Sequence, residues 1–474
     1  MSDYKKKNLY LIKNILIFFV GTIGTKLINF ALVPVYTNVL SPAEYGVIDL
    51  IFTFICLTSP LVMLDMWEGI LRFSLDPDAD HEKLLSISAV AFLLGLALSF
   101  LLVPPVCRLS LFASLAPYSG ETALYLFVYS GNLMIVSHLR GQEKLGKYTF
   151  CTLLTTFLIA LFNIIFLVMR HEGIRGYLKA NILAYSITGI IGFFLGQQYR
   201  VLFRFKMDWA LFKRVTCFSL AFLPNILALW VINSSDRVMI VHFLGEAADG
   251  LYAASSKLPT IVSTIGGCFM NAWAFSAVRE AEDASGEYGN YIYSRLVAVE
   301  SMLTAFLLLT LKPVMRVYVA EAFYEAWRYS PCLILGSMFC CLGNFLAMAY
   351  FANKDNKATS ISALFGAGLN IVLNLLLIPR IGVQGAALAT LISYIAIFFY
   401  RAVDTRRYQK IRHNDRERLI TVGLVFVMAV LVFVDSVLCQ AALVVLFAAV
   451  LFLNRRYFRE IISLVAGMLR RKHA

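Results

Sequence analysis

Charged residues are scarce in this chain of 474 residues: Asp, Glu, Lys and Arg make up 15%, against 60% hydrophobic residues. That is well below a soluble domain's share and argues against an ordinary soluble enzyme. No inter-helix stretch is long enough to fold alone; the longest, around 197–214 and 404–417, are short and basic. A Walker A sequence is missing, so ATP hydrolysis by this chain is excluded. The nine cysteines lie almost entirely in apolar runs without a C-x-x-C pair, and Cys340 and Cys341 are adjacent. They read as small buried hydrophobes, not as disulfide partners or metal ligands. The six histidines are scattered, with no H-E-x-x-H. No catalytic residue, metal site or cofactor is expected, and the chain does not read as an enzyme.

What the sequence has in abundance is long apolar runs. Mean hydropathy is +0.75, and runs of about 18–25 residues, each able to cross the hydrocarbon layer, recur along the whole length. They fall near 12–38, 46–67, 84–106, 120–138, 148–169, 176–196, 215–242, 250–275, 294–313, 328–351, 358–378, 383–403, 418–436 and 439–454. The fold class expected is all-α, a polytopic membrane protein of about 14 transmembrane helices. Lys5, Lys6 and Lys7 precede the first run as in a signal peptide. That run is too long, and no small-residue cleavage site follows, so it is expected to stay as the first helix.

The cations set an orientation. With the N-terminus inside, cytoplasmic segments hold 31 Lys or Arg and outside loops hold 8, leaving Lys26, Arg237 and Lys257 within spans. This positive-inside bias predicts a multi-pass protein with both termini cytoplasmic. It also accounts for the net charge of +13, which fringes a lipid face and attracts anionic headgroups. Membrane lipids are the expected surroundings, and no nucleic acid is expected.

The chain repeats itself. Ile28, Asn29, Leu40, Ala43 and Gly46 recur 204 residues later as Ile232, Asn233, Leu244, Ala247 and Gly250. Gly173, Gly176 and Tyr185 recur at an offset of 209 as Gly382, Gly385 and Tyr394, and Asn163 recurs as Asn374 at 211. Ordered anchors at nearly constant spacing imply a duplication, the construction many transporters use. The expected division is a lobe of six helices at 1–196, a linker at 197–214, a second six-helix lobe at 215–403, and two further helices with a basic tail at 404–474. The linker, with five Lys or Arg among aromatics, reads as an amphipathic segment along the headgroups. The tail from Arg455 to Lys472 has the same character.

Ionisable groups inside the membrane are costly and mark pathways. Lys26 shares a helix face with Asn29 and Val33, and Trp230, Asn233 and Arg237 repeat that spacing. Arg237 and Lys257 should lie at similar depth on either side of a turn near residue 246. Lys26, Arg237 and Lys257 are therefore the expected lining of a cavity that attracts an anion, with Asn29, Asn233 and Asp236 as its polar wall. The competing use is structural, with Asp236 or another acid neutralising Arg237. Asp49 and Glu300 have no obvious local partner and are the candidates to carry a coupling proton or sodium ion. Glu68 and Arg72, one turn apart, read as an ion pair. Pro34, Pro60, Pro224, Pro259 and Pro331 lie in or near spans and can kink them.

The run from Phe218 to Leu258 (FSLAFLPNILALWVINSSDRVMIVHFLGEAADGLYAASSKL) resembles the signature of polysaccharide-type flippases. These belong to the multidrug/oligosaccharidyl-lipid/polysaccharide exporter superfamily. The similarity rests on Leu223-Pro224, Trp230, Ser235-Asp236-Arg237, Phe243-Leu244-Gly245, Gly250-x-Tyr252 and Lys257-Leu258. Pro34, the turn Leu40-Ser41-Pro42-x-Glu44-Tyr45-Gly46 and Leu71-Arg72-Phe73 agree with it. The resemblance implies two pseudo-symmetric six-helix lobes around a central cavity, plus two C-terminal helices. It implies transport of oligosaccharide linked to undecaprenyl diphosphate across a bacterial cytoplasmic (inner) membrane, for O-antigen, capsule or exopolysaccharide, with polysaccharide polymerases as partners. It places cavity cations at Lys257 and roughly at Lys26, where Lys stands for the family's Arg, a point charge in place of a fork. Two other readings compete. A multidrug exporter of the same superfamily carries cationic cargo, which a cationic cavity disfavours. A membrane-embedded glycan polymerase or ligase needs a sizeable external loop, and the sequence has none.

Overall fold

The structure is a computed structural model that describes residues 21, 23–76, 78–280, 287–353, 355–408, 416–457 and 459. The lysines at 5–7 and most of the basic tail lie outside these residues. Regular structure among the described residues is helical throughout. In chain order it comprises α1 (residues 23–39), α2 (Pro42–Val62), α3 (Met66–Ser74), α4 (His81–Val106), α5 (Ser119–Gly141), α6 (Leu145–Asn163) and α7 (Gly173–Leu195). There follow α8 (Trp209–Leu244), α9 (Glu246–Ser255), α10 (Pro259–Glu280), α11 (Glu287–Tyr318) and α12 (Ser330–Ala352). The last are α13 (Asn356–Ile381), α14 (Val383–Asp404), α15 (Arg416–Leu431) and α16 (Val437–Leu453).

Ten helices among the described residues are long and apolar enough to cross a bilayer. The four other expected spans coincide with α1, the α9–α10 pair, α15 and α16. The protein is thus an all-α polytopic membrane protein. Helix starts follow local chemistry: Ser41 and Glu44 form a reciprocal capping box ahead of α2, with Pro42 in its first turn. Asp80, Asp208 and Asp355 cap α4, α8 and α13 by accepting backbone N–H bonds.

Contacts divide the chain into two compact units, Met1–Gly250 and Leu251–Ala474. In the first, α5 packs on α3, α4 and α7, α6 packs on α7, and α8 packs on α2 and α3. In the second, α12 packs on α10 and α14, α13 on α14, and α11 on α15 and α16. Placing α8 with the first unit differs from a boundary at 215, and side chains explain it. Trp230 donates from Nε1 to the Thr53 carbonyl at 3.1 Å, and Arg237 reaches Asp49, so α8 is fastened to α2 at two levels.

The linker also differs from expectation. Residues 198–202 form a 3₁₀ turn, 204–208 are non-helical, and 209–214 already belong to α8. Two of its cations are engaged by α4: Arg204 and Lys206 meet Glu82 at 2.9 and 2.7 Å, and the Lys83 of α4 meets the linker's Asp208 at 3.0 Å. Lys206 also donates its backbone N–H to Ser86 Oγ at 2.9 Å. Protein acids thus hold charges that the sequence suggested would face headgroups.

The duplication is visible in the contacts. A Cβ on Gly46 would collide with the Glu246 carbonyl, and one on Gly250 with the Pro42 carbonyl. Pro42 and Glu246 are themselves 204 residues apart, so the two turns meet reciprocally, each glycine against the other's helix start. Gly173 and Gly382, the second pair of anchors, both hold positive φ (55° and 64°), which suits a residue without a side chain. Asn163 and Asn374 are both fully buried, each within its own unit.

Candidate functional site

Arg237 forms an ion pair with Asp49 across α8 and α2, both side chains largely buried. This is the structural use weighed from the sequence, in which another acid neutralises Arg237. Asp49 has a partner, and the acid that neutralises Arg237 stands on α2. Asp236, the local candidate, instead accepts the Arg237 backbone N–H at 3.0 Å. Of the stripe Trp230, Asn233 and Arg237, the outer two clamp α2, while Asn233 is exposed and donates back within its own helix to the Leu229 carbonyl at 2.7 Å. On α1, Lys26 and Asn29 are both exposed. Among the described residues Lys26 makes no ion pair.

In the second unit, Lys257 is half-buried at the break between α9 and α10, two residues before Pro259. Proline cannot donate to the preceding turn, which accounts for the interruption. Glu300 on α11 is fully buried, and neither carboxylate oxygen has a nitrogen or oxygen partner. Its polar neighbour is the Cys341 thiol, a weak donor. The hydroxyls of Ser301 and Thr304 beside it are also buried and unpartnered.

Sequence reading missed three features. Arg72 pairs with Asp76 at 2.5 Å and not with Glu68, which leaves Asp65 fully buried with both oxygens unpartnered. A group of tyrosines from α1, α5 and α7 packs within the first unit: Tyr36, Tyr125, Tyr129, Tyr177 and Tyr185. The third is Arg401, which reads as part of a basic loop but is buried in the second unit. It donates to Ser362 Oγ, the Gly343 carbonyl and Asn344 Oδ1, each at 3.1 Å, joining α14 to α13 and α12. Its position in the last turn of an apolar helix was the available signal. Arg401→Ala should lower stability by about 3 kcal/mol, because buried acceptors lose their donor. Arg401→Lys should recover only part of this, since one ammonium cannot span all three. Thermal melting of the purified variants checks this; an unchanged midpoint in Arg401→Ala would refute the bracing role.

A family model described as a polysaccharide biosynthesis protein matches residues 11–275, and one described as lipid II flippase MurJ matches residues 329–453. The uncharacterized membrane protein MJ1375 of Methanocaldococcus jannaschii is 26% identical over 274 residues, 52% of this chain and 62% of that protein. A probable lipid II flippase MurJ of Thermotoga maritima is 28% identical over 169 residues, 34% of this chain and 36% of that protein. The matched stretch therefore spans less than two thirds of either relative. Among solved structures, lipid II flippase MurJ in an inward closed conformation superposes with a TM-score of 0.67 at 15% identity, covering 94% of this chain and 100% of that one. An inward-facing multidrug resistance MATE family transporter of the MOP superfamily gives 0.65 at 13% identity, covering 81% and 95%. At such identities the likeness is one of fold. With a family match across more than half its length, the chain belongs to the polysaccharide biosynthesis protein family.

Proposed function

We propose that this protein is a flippase for undecaprenyl-diphosphate-linked oligosaccharide, moving it from the cytoplasmic to the outer leaflet of a bacterial cytoplasmic membrane by alternating access. The glycan is destined for O-antigen, capsule or exopolysaccharide, and a polysaccharide polymerase takes up the product. Both termini face the cytoplasm. The observation that carries the reading is Lys26, exposed and without an ion-pair partner among the described residues. It lies twelve residues from the nearer end of the apolar run at 12–38, or about 18 Å at 1.5 Å per residue. An ammonium at that depth calls for a wet lining and an anionic guest. A lipid diphosphate supplies such a guest, and charge-assisted hydrogen bonds offset its lost hydration.

Lys26, Arg237 and Lys257 line the path in this reading, with Asn29 and Asn233 as neutral contacts. Asp49 and Asp236 hold Arg237 in position. Glu300 takes the coupling proton or sodium ion. A multidrug exporter shares the fold, but fixed cations would repel cationic cargo. Deleting the gene should strand carrier-linked glycan on the cytoplasmic leaflet while its synthesis continues, so that labelled glycan becomes inaccessible in intact cells. Normal surface polysaccharide in a strain with no second flippase would overturn the reading.

A further inference from the structure

A cavity of about 590 Å³ opens in the first unit where α3 meets α4, α5 meets α6, and α7 ends. Its wall holds an unusual number of unsatisfied polar groups. Ser74 Oγ, His81 Nδ1, His138 Nδ1 and Gln142 Oε1 are all buried without a hydrogen-bond partner. His138 is 1% exposed, and its Nε2 lies 2.7 Å from Gln142 Nε2. With the amide nitrogen as donor, the neutral imidazole must carry its proton on Nδ1. If the amide is turned, the Gln142 NH₂ is left over instead. Either way, one buried N–H donor at this wall has nothing to donate to, and its lost hydration stays uncompensated until something accepts it.

The charges around the cavity favour an anion. Two of its three acids are answered, Glu82 by Arg204 and Lys206 and Asp76 by Arg72, and the third, Glu143, is exposed, so five cations stand against three carboxylates. Lys144 and Arg200 also line it, and among the described residues neither makes an ion pair. Partial burial, with Lys147 and Arg200 nearby, presses the Lys144 ammonium below its usual pKa. Those cations repel one another, and an anion between them would relieve the repulsion. Backbone strain gathers at the same place: Glu143 and Gln197, with φ of 55° and 58°, both line the cavity. Non-glycine residues held in that region tend to mark binding sites.

We propose that this cavity binds a phosphate group, with Lys144 and Arg200 supplying charge, and with the Ser74 hydroxyl and the one free N–H of the His138–Gln142 pair supplying donors. The phosphate belongs either to a free phosphorylated solute or to an anionic lipid headgroup. The site lies wholly within the first unit and does not depend on the flippase reading, because binding is measured without transport. In the test, the purified full chain in neutral detergent is titrated with radiolabelled orthophosphate. In a second arm it is placed in phosphatidylcholine nanodiscs containing phosphatidic acid, and retained lipid is read by native mass spectrometry. Saturable orthophosphate binding points to a solute, and retention of phosphatidic acid alone points to a headgroup. In either case Lys144→Glu with Arg200→Glu should weaken binding at least about tenfold, with the melting temperature unchanged because neither residue is paired. Should that variant fail to fold, Arg200→Ala, at an exposed position, replaces it with the same expectation. If neither probe binds saturably, or the variants bind as tightly as the wild type, the cavity holds only water and the proposal is overturned.

Discussion

Arg237→Ala should lower the stability of the purified protein by about 3 kcal/mol, and Asp49→Ala by a similar amount, since each leaves a buried charge without its partner. The double variant should recover a large part of the loss, because no orphan charge remains. Melting midpoints in detergent for the four proteins form a double-mutant cycle, and the interaction energy is the departure from additivity. Strict additivity would mean that Asp49 and Arg237 do not act as a pair. The cycle also bears on transport. If Arg237 serves the substrate path, export per molecule should fall in Arg237→Lys even where the melting midpoint is largely kept, since an ammonium cannot serve Asp49 and a diphosphate with one forked group.

That pair shows where sequence reading succeeds and where it stops. Apolar runs register the fourteen helical positions because each span must bury its backbone polar groups within itself, whatever its neighbours do. The duplication registers because its anchors have backbone reasons. Gly46 and Gly250 face carbonyls of the facing helix start, and Gly173 and Gly382 need positive φ. Such constraints act at one position and leave a mark there. Partnerships leave none. Asp49 and Arg237 are 188 residues apart, and nothing near Asp49 in the chain indicates its cation. Asp236, adjacent to Arg237, looked the better partner only because proximity along the chain is all a sequence offers. Arg401 was hidden differently, by standing at the edge of a basic loop whose charges were read together. The phosphate cavity was illegible for the first reason, since its wall is drawn from three helices and from turns up to about 120 residues away in the chain.

Glu300→Gln should abolish the dependence of transport on an ion gradient while leaving the protein folded. The carboxyl is fully buried on α11, and a Cβ on Gly266 would crowd both its Oε1 and the Cys341 Sγ, so α10 and α12 close over it. A bare carboxylate in such surroundings costs several kcal/mol, and the state that fits is one neutralised by a proton or a monovalent cation. Ser301 and Thr304 offer unpartnered hydroxyls beside it that could complete a cation's shell or orient a protonated acid. Glutamine keeps the shape and removes the charge that binds either ion, so the fold should hold and the melting midpoint should stay level or rise. Coupling between an ion and a conformational equilibrium is typically worth about 1–3 kcal/mol, or roughly 5–150-fold. In proteoliposomes, flipping of carrier-linked glycan by the wild type should rise by a factor in that range when a pH or sodium gradient is imposed. In Glu300→Gln the rate should be the same with and without either gradient. A variant that still responds to the wild type's gradient would remove Glu300 from the coupling site, while loss of response to sodium alone, or to pH alone, identifies the ion it carries.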